Sequence, residues 1–240
     1  MRLIHSVLCF LLILAPVSSQ EKVEIKSDKI AALHAMEAVS KIAAEVAVPG
    51  EATLLDLNFQ NQYEQNGVTH KVCRIRMIVA QKALSGLIGK ILAGEASGFP
   101  AVFCNEIYCE GDHSYQTELN MPIQLEIALN LKIAAPLSAV EKDRNAKIIC
   151  FFEHFLKRLP IRGWREVEKS GAPAWASNLR INQDGSFSAS CICLDSSVVF
   201  QLGKFLLESK AVNDFQVNGI NRVYNSQENH FRAEIAGRIL

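Results

Sequence analysis

The stretch IQLEIALNLKI at residues 123–133 decides the fold class, because apolar side chains alternate with polar or small ones along it without a break. Successive side chains of a β-strand point to opposite faces of the sheet, so this alternation places every large apolar side chain on one face. One buried and one wet face is typical of an antiparallel sheet. The sequence therefore predicts an antiparallel sheet that is covered on one side only.

Similar strand patterns recur along the chain, separated by helical stripes in which apolar residues follow the spacing i, i+3, i+4, i+7. Asn66-Gly67 and Asp184-Gly185 are strong hairpin turn signals, and Ser138 with Glu141 forms a capping box at a helix start. Predicted helices lie at about 27–48, 84–92, 138–159 and 195–206. Predicted strands lie at about 53–62, 68–80, 101–109, 115–134, 176–182, 186–194, 215–224 and 231–239.

The order of these elements is helix, hairpin, helix, hairpin, and then the same again. Two short matches favour an internal duplication: IGKIL at 88–92 matches LGKFL at 202–206 at an offset of 114, and EIA at 126–128 recurs at 234–236 at an offset of 108. The sequence therefore predicts an α+β protein of two similar lobes, residues 27–135 and 137–240. Each lobe is expected to pack its helices on one face of an antiparallel sheet, around a core of its own.

This element order is similar to that of ferredoxin-like and cystatin-like lobes, a likeness of fold that assigns no function. The chain lacks the alternation of strand and helix with Gly-rich turns, which argues against a doubly wound nucleotide-binding sheet.

The first 19 residues have the pattern of a secretory signal peptide. Met1-Arg2 is a short basic start, the run Leu3–Ala15 is apolar, and small residues end the segment at Ser19. The apolar run is shorter than the ~20 residues that span a bilayer. We therefore expect cleavage after Ser19 and a secreted product, periplasmic if the source is bacterial, without a transmembrane segment.

Six cysteines remain after removal of the signal peptide, and an oxidising compartment favours up to three disulfides among them. Buried, reduced thiols are the alternative, because a chain of this length can fold without disulfides. Cys191 and Cys193 are expected on the buried face of one strand, without a bridge to each other. Cys150 falls on the polar face of its helix, where we expect it to be covered by another segment or bridged. The candidate disulfide residues are Cys73, Cys104, Cys109, Cys150, Cys191 and Cys193.

Composition and motifs exclude several classes of function. The 240 residues include 25 basic and 25 acidic ones, so charge does not favour nucleic acid or an anionic membrane as a partner. Cys104, Cys109 and His113 lie close in sequence, but their spacing is not that of a zinc site. No nucleophile elbow, Walker sequence or dinucleotide fingerprint occurs. The sequence predicts neither an enzyme nor a cofactor.

The leading hypothesis is an exported, non-catalytic interaction protein that binds another protein or a second copy of itself. Its candidate binding face is formed by arginines on the polar sides of strands: Arg74, Arg76, Arg180, Arg222, Arg232 and Arg238. Such a face would suit an acidic protein surface.

Two other functions stay open. One is a protease inhibitor of cystatin-like architecture, although the turn at 65–68 and the connection at 109–115 lack the usual inhibitory motifs. The other is a carrier of a small apolar ligand, with Phe151, Phe152 and Phe155 lining a cavity between helix and sheet.

Overall fold

The computed structural model describes residues 33, 37, 40, 50–65, 68–93, 101–111, 122–132, 137–163, 173–223 and 230–240. The predicted signal peptide, the turn at Asn66-Gly67 and most of the 109–115 connection lie outside these residues. The first predicted helix also lies mostly outside them, although Leu33, Glu37 and Ser40 are helical.

Besides these three helical residues, the described chain forms eight strands and three α-helices. Most boundaries lie within a few residues of those predicted from the sequence. In order, the elements are β1 (Ala52–Gln65), β2 (Val68–Ala80), a 3-10 turn (Gln81–Ala83) that leads into α1 (Leu84–Ala93), β3 (Ala101–Gly111), β4 (Pro122–Lys132), α2 (Ala139–Arg158), β5 (Ala174–Asn182), β6 (Ser186–Cys193), α3 (Ser197–Glu208), β7 (Val212–Arg222) and β8 (Phe231–Ile239). None of the helices in the described ranges is both long and apolar enough to cross a membrane.

All eight strands belong to one antiparallel sheet in the order β1-β2-β4-β3-β5-β6-β8-β7. This confirms the predicted α+β class and antiparallel sheet. The first four strands occupy one half of the sheet and the last four the other, without interleaving. The halves meet where β3 pairs with β5, from Glu106 opposite Asn182 to Glu110 opposite Asn178. We call this junction the seam.

The two halves share one hydrophobic core, which differs from the expected pair of independent cores. The reason is the position of α2, which contacts α1 and β3 of the first half as well as α3 and β8 of the second. The ring centroids of Phe151 on α2 and Phe187 on β6 are 4.7 Å apart. The side chain of Asn145 on α2 donates a hydrogen bond to the carbonyl of Leu92 on α1 at 3.0 Å. One helix therefore closes the core across the seam.

Local signals in the sequence have the expected structures. The hydroxyl of Ser138 accepts a hydrogen bond from the Glu141 amide, and the Glu141 carboxylate accepts one from the Ser138 amide, so the predicted capping box is formed. At the β5–β6 turn, Gly185 has a φ of 81°, a conformation that glycine adopts without steric cost. Asp184 accepts a hydrogen bond from the Ser186 amide at 2.9 Å across this turn.

Candidate binding surface

The sheet face opposite α1, α2 and α3 is the candidate binding surface, and we call it the open face. These three helices pack on the other face, and on this face Val72, Ile78, Ala128, Trp175 and Ile192 are nonetheless buried. A row of polar residues crosses the strands here, each opposite the next in the pairing register. The row consists of Arg76 on β2, Glu126 on β4, Tyr108 on β3, Arg180 on β5 and Ser188 on β6.

The centre of this row lies on the seam and combines an aromatic ring with opposite charges. The Nε of Arg180 lies 3.4 Å from a carboxylate oxygen of Glu106, and its guanidinium carbon is 5.2 Å from the centroid of the Tyr108 ring. The Tyr108 hydroxyl donates a hydrogen bond to Glu110 at 3.0 Å. Partial burial, with this carboxylate as the next cause, raises the pKa of Tyr108 to about 12. The phenol therefore stays a neutral donor at physiological pH.

Three other arginines of the open face are paired as well. Arg74 lies 2.7 Å from Glu126 in an ion pair, and the Nε of Arg232 donates to Ser190 at 2.9 Å and to Glu234 at 3.0 Å. Arg238 lies 3.5 Å from Asp184. Hydrogen bonds from Ser186, with Arg238 as a smaller cause, hold the pKa of Asp184 below its usual value. Four of the five arginines on the open face therefore have an acidic partner. Arg76 lies opposite Glu126 in the register, but its Nε has no hydrogen-bond partner among the described residues.

Arg222 is an exception among the six predicted arginines. It lies opposite Phe231, and Phe231 lies opposite Cys193, so its register position belongs to the helix-covered face. The extra residue Asn218, a β-bulge between Val217 and Gly219, reverses the alternation along β7. A strict period of two cannot anticipate this reversal.

The six cysteines are free in the described structure, contrary to the expectation of up to three disulfides. Cys73 on β2 and Cys104 on β3 both lie opposite Leu129 of β4. Because β4 lies between β2 and β3, the two cysteines flank it on opposite edges. They are therefore two strand spacings apart, roughly 9–10 Å, beyond the ~7 Å that a disulfide can bridge. Cys191 and Cys193 are buried with Phe187 and Ala189 and do not pair, as predicted.

Burial also makes these thiols poor nucleophiles. It raises the pKa of Cys73 and Cys104 to about 12, and it raises the pKa of Cys109, Cys191 and Cys193 as well. The thiolate is the reactive and metal-binding form of cysteine. No group of His, Cys, Asp or Glu among the described residues could hold a metal ion, and His113 lies outside those residues.

The prediction that Cys150 is covered or bridged is wrong within this chain, because its side chain is exposed and free. Its Sγ lies 3.5 Å from Nδ1 of His154, and that nitrogen is 2.8 Å from the Cys150 carbonyl oxygen. The segment expected to cover it was the 160–175 loop. The described start of that loop runs beside β5 instead, where the Arg162 amide donates to the carbonyl of Ala176 at 2.9 Å.

The three phenylalanines proposed as the lining of a ligand cavity are core residues. Phe151, Phe152 and Phe155 are fully buried. The ring centroid of Phe151 lies 6.3 Å from that of Phe152 and 5.6 Å from that of Phe155. These rings pack against one another and leave the carrier hypothesis without its original support.

An apolar groove at the β7 edge of the sheet was not anticipated from the sequence. It has a volume of about 550 Å³ and lies between α3 and β7. Phe200 and Leu207 on its rim are 56% and 44% exposed. One signal in the sequence could have identified the groove: Phe200 is a large apolar residue outside the apolar stripe of α3. That stripe consists of Val198, Val199, Leu202, Phe205 and Leu206. Phe200, Gly203, Leu207, Phe215 and Val217 form the apolar lining of the groove, and the charged residues Lys204 and Glu208 also line it.

No family model, curated protein or solved structure matches this chain.

Proposed function

We propose that this chain is an exported, non-catalytic interaction protein that binds a protein partner through the open face. The observation that carries the proposal is the row of Arg76, Glu126, Tyr108 and Arg180 across the seam. Tyrosine and arginine are among the residue types that contribute most to binding energy in protein interfaces. Their place at the middle of the sheet suits the centre of an interface.

The dimensions of the open face favour a protein over a small molecule. Eight strands at a spacing of ~4.8 Å make a surface roughly 35 Å wide, and a stable protein interface needs about 800 Å² on each partner. Four arginines of the face are each paired with an acidic side chain, and Arg76 lies opposite Glu126 in the register. We therefore expect a partner surface that also carries both signs, because it can exchange ion pairs with Glu126, Glu106 and Arg180 without leaving a charge unpaired.

The two-lobe arrangement is part of this proposal, and the pairing register supports it. Met77 lies opposite Leu54 and Leu125, and Cys191 lies opposite Ala176 and Ala233 in the same way. The offset from Met77 to Cys191 is 114 and that from Leu125 to Ala233 is 108, the same offsets that the two sequence matches have. Leu55 and Ser177 are extra residues at matching points of β1 and β5. A duplicated unit accounts for all of these coincidences.

Export is the part of the proposal that is simplest to test. Expression of the full chain in a secreting host should release a protein whose first residue is Gln20. Amino-terminal sequencing of the product from the medium measures this directly. A product that stays in the cell and retains Met1 or the run Leu3–Ala15 would contradict export.

The binding face is tested by site-specific photo-crosslinking in medium from cells that produce the protein. A photoreactive residue at Ser188 on the open face should crosslink to a protein partner, whereas one at the exposed Glu153 of α2 should not. Arg180→Ala should reduce the crosslink from Ser188 roughly tenfold, the loss expected when an interface anchor is truncated. Crosslinking from Glu153 alone, or a yield unchanged by Arg180→Ala, would overturn the proposed face.

A further inference from the structure

The seam offers a structural template for contact between separate copies of this chain. Along the seam Ile107 lies opposite Ile181 and Cys109 lies opposite Leu179, all four on the helix-covered face and all buried. The seam joins the last strand in the sheet order of the first half to the first strand of the second half. In the two similar halves, β3 corresponds to β7 and β5 corresponds to β1. A contact of the seam type between two copies would therefore join β7 of one copy to β1 of the other.

The pairing register shows which residues of β7 and β1 correspond to those of the seam. Cys109 lies opposite Leu125, and Ile220 lies opposite Ala233, so Ile220 corresponds to Cys109 and Val217 to Ile107. Counting from the extra residues Leu55 and Ser177, Leu57 corresponds to Leu179 and Phe59 to Ile181. The two edges thus carry apolar side chains at the positions that meet in the seam.

Both β1 and β7 are edge strands in the described part of the chain, with one strand neighbour each. Their lengths of 14 and 11 residues leave long rows of backbone groups on the outer side. Such edges are templates for pairing with another chain unless charge, proline or cover blocks them. Leu57, Phe59, Val217 and Ile220 are only partly buried at these edges, in contrast to their buried counterparts in the seam.

We propose that β7 of one copy pairs antiparallel with β1 of the next copy, in the register of the seam. Ile220 then lies opposite Leu57 and Val217 opposite Phe59, with Asn218 as an extra residue between Val217 and Gly219. On the open face Asn221 lies opposite Asp56, a pair that can form a hydrogen bond and brings no like charges together.

The groove beside β7 extends the same surface from the strands to the helices. Gly203 of α3 corresponds to Gly89 of α1, and a Cβ at Gly89 would be 4.0 Å from Ile149 of α2 in the other half of the chain. At this position α1 therefore has a neighbouring helix, α2, from the other half of the chain. At the β7 edge, Phe200 and Leu207 remain exposed where the next copy would sit.

Because each copy keeps one unpaired edge after one contact, this interface is heterologous and produces rings or open chains of copies. This inference concerns the two edges of the sheet and is independent of the partner proposed for the open face. Loss of crosslinking at Ser188 would contradict the proposed open-face partner but not the contact between β7 and β1.

Cysteine pairs introduced into the expressed protein test the register. Cys150→Ser removes the exposed thiol, and Asp56→Cys with Asn221→Cys then places two exposed thiols opposite each other across the proposed contact. Directly opposed side chains have Cβ atoms ~4.5–5.5 Å apart, within the reach of a disulfide. The matched control replaces Asp56→Cys by Asn58→Cys, which shifts one thiol by two residues along the same edge.

Under mild oxidation the Asp56→Cys/Asn221→Cys protein should form a ladder of disulfide-linked oligomers, roughly tenfold more abundant than in the shifted control. Each single-cysteine variant should stop at a minor dimer. Sedimentation velocity of the unmodified protein should show species larger than a dimer as concentration rises. A monomer at every concentration, equal ladders in both double variants, or an efficient dimer of either single variant would overturn the proposal.

Discussion

Single extra residues decide which face of the sheet several side chains occupy. Asn105 is an extra residue in β3 between Cys104 and Glu106, so Cys104 and Cys109 both face the core although they are five positions apart. Asn218 does the reverse in β7 and moves Arg222 off the open face. A bulge shifts the alternation by one position, and this changes the face of every residue beyond it.

At the residue scale, Gly111→Ala should destabilise the protein by about 1–3 kcal/mol, the usual cost of forcing extra atoms into a packed site. A Cβ at Gly111 would overlap the backbone of Arg162 and Gly163. Backbone atoms of a neighbouring segment cannot move aside as a flexible side chain can. The measurement is the free energy of unfolding in urea.

Gly86→Ala is the matched control, since a Cβ at this exposed position of α1 has no neighbour within 4 Å. Alanine in a helix interior should stabilise the protein by roughly 0.5–1 kcal/mol relative to glycine. Equal effects of the two substitutions would show that the close approach at Gly111 is absent.

Thiol reactivity should separate Cys150 from the other five cysteines. Without reductant, native protein that lacks residues 1–19 should bind one equivalent of a thiol reagent rapidly, and six after denaturation. The buried thiols are protected by exclusion of the reagent and by their raised pKa values. Cys150→Ser should abolish the rapid reaction. Fewer than six reactive thiols in denaturant would reveal disulfides and contradict this structure.

At the scale of elements, short-range signals account for where helices and hairpins begin. The Ser138–Glu141 capping box starts α2, and the Asp184–Gly185 turn joins β5 to β6, both within four residues of sequence. Their physical causes are local hydrogen bonds and the conformational freedom of glycine. Local causes of this kind can be recognised without knowledge of the fold.

Removal of the Ser138 hydroxyl should therefore weaken α2 measurably. We expect Ser138→Ala to cost about 1 kcal/mol in the free energy of unfolding, the typical value for an N-cap. Ser196 precedes α3 but its side chain makes no capping hydrogen bond, so Ser196→Ala should change stability by less than about 0.5 kcal/mol. Chemical denaturation of both variants gives the comparison, and a larger loss for Ser196→Ala would contradict the assigned cap.

At the scale of the whole molecule, the continuous sheet and shared core couple the two halves. The core cluster includes Leu87 of α1 and Leu202 of α3, and α2 contacts both of these helices. Separation of the halves would expose the seam strands and the inner side of α2. The halves should therefore unfold together.

Substitution of one core leucine in each half tests this coupling. Leu87→Ala and Leu202→Ala should each lower stability by about 2–5 kcal/mol and shift a single transition as a whole. Calorimetry and circular dichroism should give the same midpoint for each variant. Two transitions, of which each substitution moves only one, would instead support independent cores.

The sequence by itself determined the class of the protein, the place of most described helices and strands, the cap of α2 and the burial of Cys191 and Cys193. Periodicity, capping and turn residues act over a few positions, so their effects can be predicted from short stretches of the sequence. Only the tertiary structure decided that the halves form one sheet with one core, that Arg222 leaves the open face, and that Cys73 and Cys104 stand too far apart to bridge. These outcomes depend on which strands become neighbours and on where a single residue bulges. Both are determined by contacts between parts of the chain that are distant in sequence.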